Sequence, residues 1–138
     1  DFGNGIIRAP KDTLIDGMSV LTFAISRPPK SVQQIIDDYK IDVNTDIDYF
    51  LIHQANKLIV DRVVKKLHLP LKKVPYDLEE FGNLGGASIP SLMVTRIAEP
   101  MRSEKPIKML CSSFGLGLSW GTMIITANNV IIPELIEI

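Results

Sequence analysis

A buried strand that ends on a histidine and turns at once into a helix is the feature of this sequence that most restricts its fold. Tyr49-Phe50-Leu51-Ile52-His53 is a continuous apolar run, the pattern of a strand covered on both faces. A polar stretch from Asp42 to Asp48 leads into it. From Ala55 to Leu67 the apolar residues Leu58, Ile59, Val63 and Leu67 fall at helical spacing, with Asp61 and Lys65 placed as an i,i+4 pair. The unit is strand, sharp exit, helix. The carboxyl end of such a strand is where open α/β sheets place ligands and chemistry, and His53 stands there.

The rest of the chain extends the α/β pattern. Gly5 to Pro10 reads as a short strand entering a loop. After a turn at Asp16-Gly17, apolar residues at Val20, Phe23 and Ala24, then Val32, Ile35, Ile36 and Tyr39, recur on a helix face. Pro28-Pro29 cannot sit inside one helix, so the spacing predicts one ending near Arg27 and a second beginning at Pro29 or Lys30. Residues 69–81 read as a loop with one short strand at Val74-Pro75-Tyr76. The glycine-rich segment after it leads into a helix starting near Ser88 and running through Leu92, Met93, Ile97 and Met101, loosened by Pro100. Ile107 to Cys111 and Ser119 to Thr126 read as two strands of an antiparallel hairpin joined by the glycine loop Phe114 to Leu118. Residues 129–138 read as a peripheral strand or extension. The predicted order is β-α-α-β-α-α-β-β, a mixed sheet of about five strands covered by helices.

Composition narrows the classes. The chain has 138 residues, 46% of them hydrophobic and 22% charged, with a net charge of -1, which describes a single globular domain over residues 1–138 and excludes intrinsic disorder. The uncharged stretch Met109 to Ile132 matches the ~20 residues a bilayer requires, but its serines, glycines and the Asn128-Asn129 pair break it into strand-sized pieces. No signal peptide opens the chain, and the lack of a start methionine suggests a processed or excised piece. The one cysteine, Cys111, excludes a disulfide framework and fits a reducing, cytoplasmic compartment. His53 and His68 have no metal-ligand spacing, so no metal is expected.

Three segments concentrate unusual residues: His53-Gln54-Ala55-Asn56, Gly82-Asn83 before a helix, and the glycine loop in the hairpin. Each has a bland alternative. A histidine at a strand end can be a satisfied core residue, Asn83 beside glycines a turn former, and Gly115 with Gly117 a hairpin turn.

Taken together and in order, His-Gln-Ala-Asn, Gly-Asn-x-x-x-Ala-Ser-x-Pro and Ser-Phe-Gly-x-Gly-x-x-Trp-Gly resemble the C-terminal half of the β-ketoacyl-acyl carrier protein synthase III family of thiolase-fold condensing enzymes. The stretch from Asp16 to Ala24 is similar to the one preceding the same strand in that family, and the resemblance runs from Asp16 to Thr126. It implies a thiolase-like half. His53 and Asn83 match the family's catalytic histidine and asparagine, which polarise the malonyl thioester carbonyl as carbon dioxide leaves. Neutral nitrogen donors in a dry pocket suit an enolate oxygen, and burial of His53 would keep it neutral. Backbone amides near Phe114, Gly115 and Leu116 would line an oxyanion hole. Two departures bear on acyl-chain preference: Leu84-Gly85 stands where Thr-Ser is common, and Leu116 interrupts what is often a run of three glycines.

The family's nucleophile is a cysteine in an N-terminal half that this chain lacks. Cys111, in an apolar strand, reads as an inert small hydrophobe. The resemblance further implies an acyltransferase of fatty acid biosynthesis that uses acyl-CoA and malonyl-acyl carrier protein as substrates and needs no cofactor. It also implies packing against the N-terminal half and a homodimer. The alternatives are a related condensing enzyme of polyketide or other secondary metabolism, and a carrier-protein-binding fragment with no activity of its own.

Charge supplies a second functional clue. From Lys57 to Lys73 six basic residues face one acid, a local +5 in a chain whose remainder is therefore -6. Lys65 and Lys66 match basic positions the family uses to dock the acidic carrier, and Lys57 lies one position before another. With Arg62 they form the candidate carrier-binding set, against the alternative of a solvated helix face. A positive patch speeds association with an acidic partner. Nucleic acid fits poorly, because no aromatic residues interleave the lysines.

Overall fold

Two helical layers share one small sheet, and the alternation of strand residues decides which layer each side chain joins. The structure, a computed structural model, describes Gly5, Ile7, Ala9 and residues 15–136. Its strands are β1 (Tyr49–Ile52), β2 (Ile107–Gly115) and β3 (Ser119–Ala127), in the order β1-β2-β3. β1 runs parallel to β2, with Tyr49 opposite Met109 and Ile52 opposite Ser112. β2 and β3 are the antiparallel hairpin, from Ile107 opposite Ala127 to Gly115 opposite Ser119.

Phe50, Ile52 and Leu110 point to one face, where they meet Val32 and Ile36 of α2 (Arg27–Asp38) and Ile59, Val60, Val63 and Val64 of α3 (Lys57–Lys66). Leu51, Met109 and Cys111 point to the other, against Leu92 of α5 (Ser88–Thr95) and Ile97 and Met101 at α6 (Ala98–Arg102). β1 is covered on both sides, as its unbroken apolar run requires.

Local chemistry sets the helix ends. The Asp16 carboxylate caps α1 (Gly17–Ala24) by accepting from the N–H groups of Met18 and Ser19, both at 3.1 Å, and these bonds with the Ser19 hydroxyl hold it below the usual carboxylate range. Pro28 and Pro29 sit in the first turn of α2, where their missing N–H groups cost nothing. The break between α1 and α2 therefore falls where the prolines place it, with α1 ending at Ala24 and α2 starting at Arg27, both slightly earlier than expected. The helix expected from Ser88 to Met101 is divided into α5 and α6. Pro100 has no N–H to give the Arg96 carbonyl, so the first helix stops at Thr95 and another turn restarts at Ala98.

The sheet has three strands among the described residues, not about five. Val74-Pro75-Tyr76 follows a 3-10 turn (Leu71–Lys73) as unpaired chain. The expected strand at 5–10 lies outside the described residues except for Gly5, Ile7 and Ala9. The described tail, 129–136, forms no strand and instead follows α6: Asn129 N–H donates to the Ser103 carbonyl at 2.8 Å, and the Arg102 guanidinium to that of Ile132 at 2.9 Å. β2 also runs on through Phe114 and Gly115, which shortens the expected glycine loop to its tip. Asp61 and Lys65 have the spacing of an ion pair and do not close one; the pairs among the described residues are Lys57–Glu79, Arg96–Glu80 and Arg102–Glu99. No helix among these residues is long and apolar enough to cross a membrane.

Candidate active site

His53 is held by backbone. One ladder runs past both ends of β1: Asp48 N–H donates to the Lys108 carbonyl at 2.8 Å, and His53 N–H to the Ser112 carbonyl at 2.9 Å. The chain then turns sharply, with Ala55 N–H on the His53 carbonyl at 3.0 Å, and the Asn56 side chain caps α3 by accepting from Ile59 N–H at 2.9 Å. Gln54 is fully buried and stiffens the exit, its amide donating to the Ile52 carbonyl at 2.8 Å.

The imidazole is 5% exposed and stands edge-on to Phe114, with ring centroids 4.8 Å apart at 88°. Burial holds its pKa below the ordinary 6.5, so the neutral form is favoured. Its Nδ1 is buried and has no partner among the described residues. Phe114 is itself steadied by Phe23 of α1, whose ring also meets Trp120 at 5.5 Å.

Asn83 lies on an exposed turn and is held differently. The Gly82 backbone at φ 66°, ψ -160° is a conformation essentially reserved for glycine. The Asn83 side-chain oxygen accepts from Gly85 N–H at 2.9 Å, an Asx turn. A backbone N–H can only donate, so that bond identifies the engaged end of the amide as oxygen and leaves the NH2 end a donor without a partner among the described residues. The 3-10 turn Gly85–Ala87 then carries the chain into α5, and it packs on β2 while α5 packs on β1. Before Asn83, α4 (Leu78–Phe81) is linked to the His53 side of the site by one lysine. Lys57 Nζ pairs with Glu79 at 3.0 Å and lies over the Tyr76 ring, 5.7 Å from its centroid.

The structure thus joins His53 to Phe114 directly and ties the Asn83 loop to them through Lys57 and the packing of α5. Gly115 ends β2, paired with Ser119, but Leu116 is 94% exposed at the hairpin tip. Cys111 is buried in the α5/α6 layer, and burial pushes its thiol up to about 11. Near neutral pH its thiolate fraction is then on the order of one in ten thousand, which excludes it as a ready nucleophile.

All four candidate carrier-binding residues are exposed on α3. Lys57 is engaged with Glu79, and Lys66 Nζ donates to the Ile25 carbonyl at 2.9 Å, so of the four Arg62 and Lys65 present charge without a partner among the described residues. Lys73, part of the same basic stretch, is structural, donating to the carbonyls of Asn44 and Ile47. Sequence spacing missed two residues of this neighbourhood. Asp77, in the segment read as a loop, is 1% exposed, and Arg96 fixes the Tyr76 carbonyl at 2.7 Å. Neither lies in a motif, and no periodicity marks them.

Comparison with known proteins places the chain in a family. The family profile described as 3-oxoacyl-[acyl-carrier-protein (ACP)] synthase III C terminal matches residues 41–127, which include His53, Asn83 and the hairpin. A beta-ketoacyl-[acyl-carrier-protein] synthase III of Streptococcus pneumoniae is 41% identical over 115 residues, covering 81% of this chain and 35% of that protein. The crystal structure of a 3-oxoacyl-(acyl-carrier protein) synthase from Burkholderia xenovorans LB400 superimposes with a TM-score of 0.84 at 30% identity, over 92% of this chain and 36% of the other. A 3-oxoacyl-(acyl carrier protein) synthase III from Pseudomonas aeruginosa PAO1 gives 0.73 at 29% identity, over 87% and 37%. The chain spans about a third of the length of each.

Proposed function

We infer the function from one premise: this chain belongs to the 3-oxoacyl-[acyl-carrier-protein] synthase III family and carries its C-terminal, thiolase-like part. Within the full-length protein it supplies the decarboxylation half of a condensing site in fatty acid biosynthesis. An acyl group is first loaded from acyl-CoA onto a cysteine outside this chain. Malonyl-acyl carrier protein then binds with its thioester oxygen facing His53 and Asn83. The bond to the carboxylate breaks, carbon dioxide leaves, and the electron pair passes into an enolate whose oxygen accepts from the two nitrogen donors. The enolate carbon attacks the acyl-cysteine carbonyl, a carbon–carbon bond forms, and the cysteine thiolate departs to leave a 3-oxoacyl product. Amides at Phe114, Gly115 and Leu116 serve the acyl-transfer oxyanion.

The observation that carries this is that both candidate donors are neutral nitrogen groups. Burial disfavours the charged form of His53, and Asn83 has its oxygen engaged and its NH2 without a partner among the described residues. Donors that cannot transfer a proton readily stabilise an enolate without quenching it. The half-covered α5 fits a role within a larger protein. Beyond the buried Ser88 and Leu92, its apolar residues Ile89, Met93 and Val94 are only half-buried, so that surface suits packing against an N-terminal half. The exposed charge of Arg62 and Lys65, with Lys57 and Lys66, suits an acidic carrier protein. The reaction as written needs no cofactor, and cytoplasmic location and a homodimer complete the proposal.

The test uses the full-length enzyme with acyl-CoA primers and malonyl-acyl carrier protein. His53→Ala and Asn83→Ala should each lower carbon dioxide release by roughly a hundredfold to a thousandfold, as loss of one oxyanion donor does elsewhere, with cysteine acylation within about twofold. Carbon dioxide release unchanged in both variants would sink the proposal.

A further inference from the structure

The turn that carries Asn83 has three tethers, and they are not equal. Lys57–Glu79 joins side chains that are 64% and 72% exposed, and Arg96–Glu80 joins side chains that are 29% and 59% exposed. Exposed ion pairs of this kind constrain little. The third tether is Asp77, immediately before α4 and 1% exposed. Its Oδ2 accepts from Ser91 Oγ at 2.6 Å and lies 3.2 Å from Thr95 Oγ1, one turn further along α5. Thr95 Oγ1 also donates to the Ser91 carbonyl at 2.8 Å, so the hydroxyl pair and the carboxylate form one unit. Oδ1 of Asp77 is buried with no partner among the described residues. A carboxylate with one oxygen unpaired is expensive to bury, and stability alone does not explain its presence.

We propose that Asp77 is a positioning residue: its buried carboxylate, fixed by Ser91 and Thr95, keys the segment before Asn83 to α5 and so sets where the Asn83 amide stands. α5 packs on β1, the strand that His53 directly follows, so the same contact relates the two donors to each other. Between Asp77 and Asn83 the chain has only the single turn of α4 and Gly82, and no side chain of that stretch is buried. Movement at Asp77 therefore has only one helical turn and Gly82 to cross before Asn83. The proposal rests on the donor role given to Asn83 above.

The experiment measures two half-reactions of the full-length enzyme, cysteine acylation from acyl-CoA and carbon dioxide release from malonyl-acyl carrier protein. Asp77→Ala and Ser91→Ala should lower carbon dioxide release by roughly tenfold to a hundredfold, the scale of an ångström-sized misplacement, and leave acylation within about twofold. Asp77→Asn still accepts from Ser91 Oγ and should restore most of the rate. If Asp77→Ala fails to fold, Ser91→Ala and Asp77→Asn decide. Both half-reactions falling together with the melting temperature would mean a merely structural role and overturn the proposal. Normal carbon dioxide release in Asp77→Ala, beside an inactive Asn83→Ala, would overturn positioning alone. Normal release in Asn83→Ala would overturn the donor role of Asn83, and positioning with it.

Discussion

The loop after β1 and the loop before α5 each present one candidate donor, and they are built from different forces. His53 continues a backbone ladder, is walled by Phe114 and follows three residues that are at most 2% exposed. Asn83 stands on an exposed turn shaped by the Gly82 conformation, an Asx bond and side-chain tethers. A group placed by backbone and core tolerates many changes in its neighbours and fails only when the core does. A group placed by side chains moves with each of them. The second loop is also where Leu84 and Gly85 depart from the Thr-Ser common in the family, so that loop can be retuned without unfolding the sheet.

The contrast is broken most severely by a core substitution on the His53 side. Phe50 is 0% exposed, and Phe50→Ala should destabilise by about 3–5 kcal/mol, read as a lower urea midpoint of the full-length protein. Both half-reactions should then fail together, because the scaffold itself has gone. Full stability in that variant would mean that β1 is not the anchor described here.

Next in size is Gly82→Ala on the other loop. No atom lies within 4 Å of the Cβ it would add, so the cost is purely conformational. Holding alanine at φ 66°, ψ -160° costs of order 1–3 kcal/mol. The turn is expected to relax instead, giving roughly a tenfold loss of carbon dioxide release with little change in melting temperature. An equal loss of acylation would show that this loop is not specific to decarboxylation.

The same contrast explains what the sequence discloses. His53 is legible because burial on both faces of β1 demands a continuous apolar run, and a strand's end is visible in the pattern. The prolines of α2, the hairpin of β2 and β3, and the turn at Gly82-Asn83 are legible for the same local reason. Asp77 is not, since its burial depends on Ser91 and Thr95, which only the fold brings to it. Nor could spacing tell that Lys57 would choose Glu79, or that Asp61 and Lys65 would leave their pair open. The count of strands failed where the unpaired chain at Val74 to Tyr76 has β-like composition and no neighbour to pair with.

Protonation sharpens the comparison, because of the two donors only the His53 imidazole is a titratable group. Burial places the pKa of folded His53 below 6.5, so just below pH 6.5 the unfolded chain binds more protons than the folded one. Stability is therefore complete above pH 6.5, declines as pH falls toward the folded pKa, and levels off beneath it. Carbon dioxide release should keep its neutral-pH rate to below pH 6.5 and then fall, and His53→Ala should remove that acid limb from the residual rate. An acid limb at or above 6.5 would show that the imidazole is not desolvated in the working enzyme.

The smallest effect belongs to the exposed cations of α3, which touch neither donor. Arg62 and Lys65 have no ion-pair partner among the described residues, whereas Lys57 and Lys66 are engaged. Arg62→Ala with Lys65→Ala should raise KM for malonyl-acyl carrier protein by up to roughly tenfold at low salt, with kcat unchanged. The defect should fade near 1 M salt, where screening acts within about 3 Å. Charge that only steers an encounter acts before either loop meets the thioester, so a fall in kcat would place the α3 surface inside the site. A defect that persists at high salt would make these residues contacts of the docked complex, held close enough to escape screening.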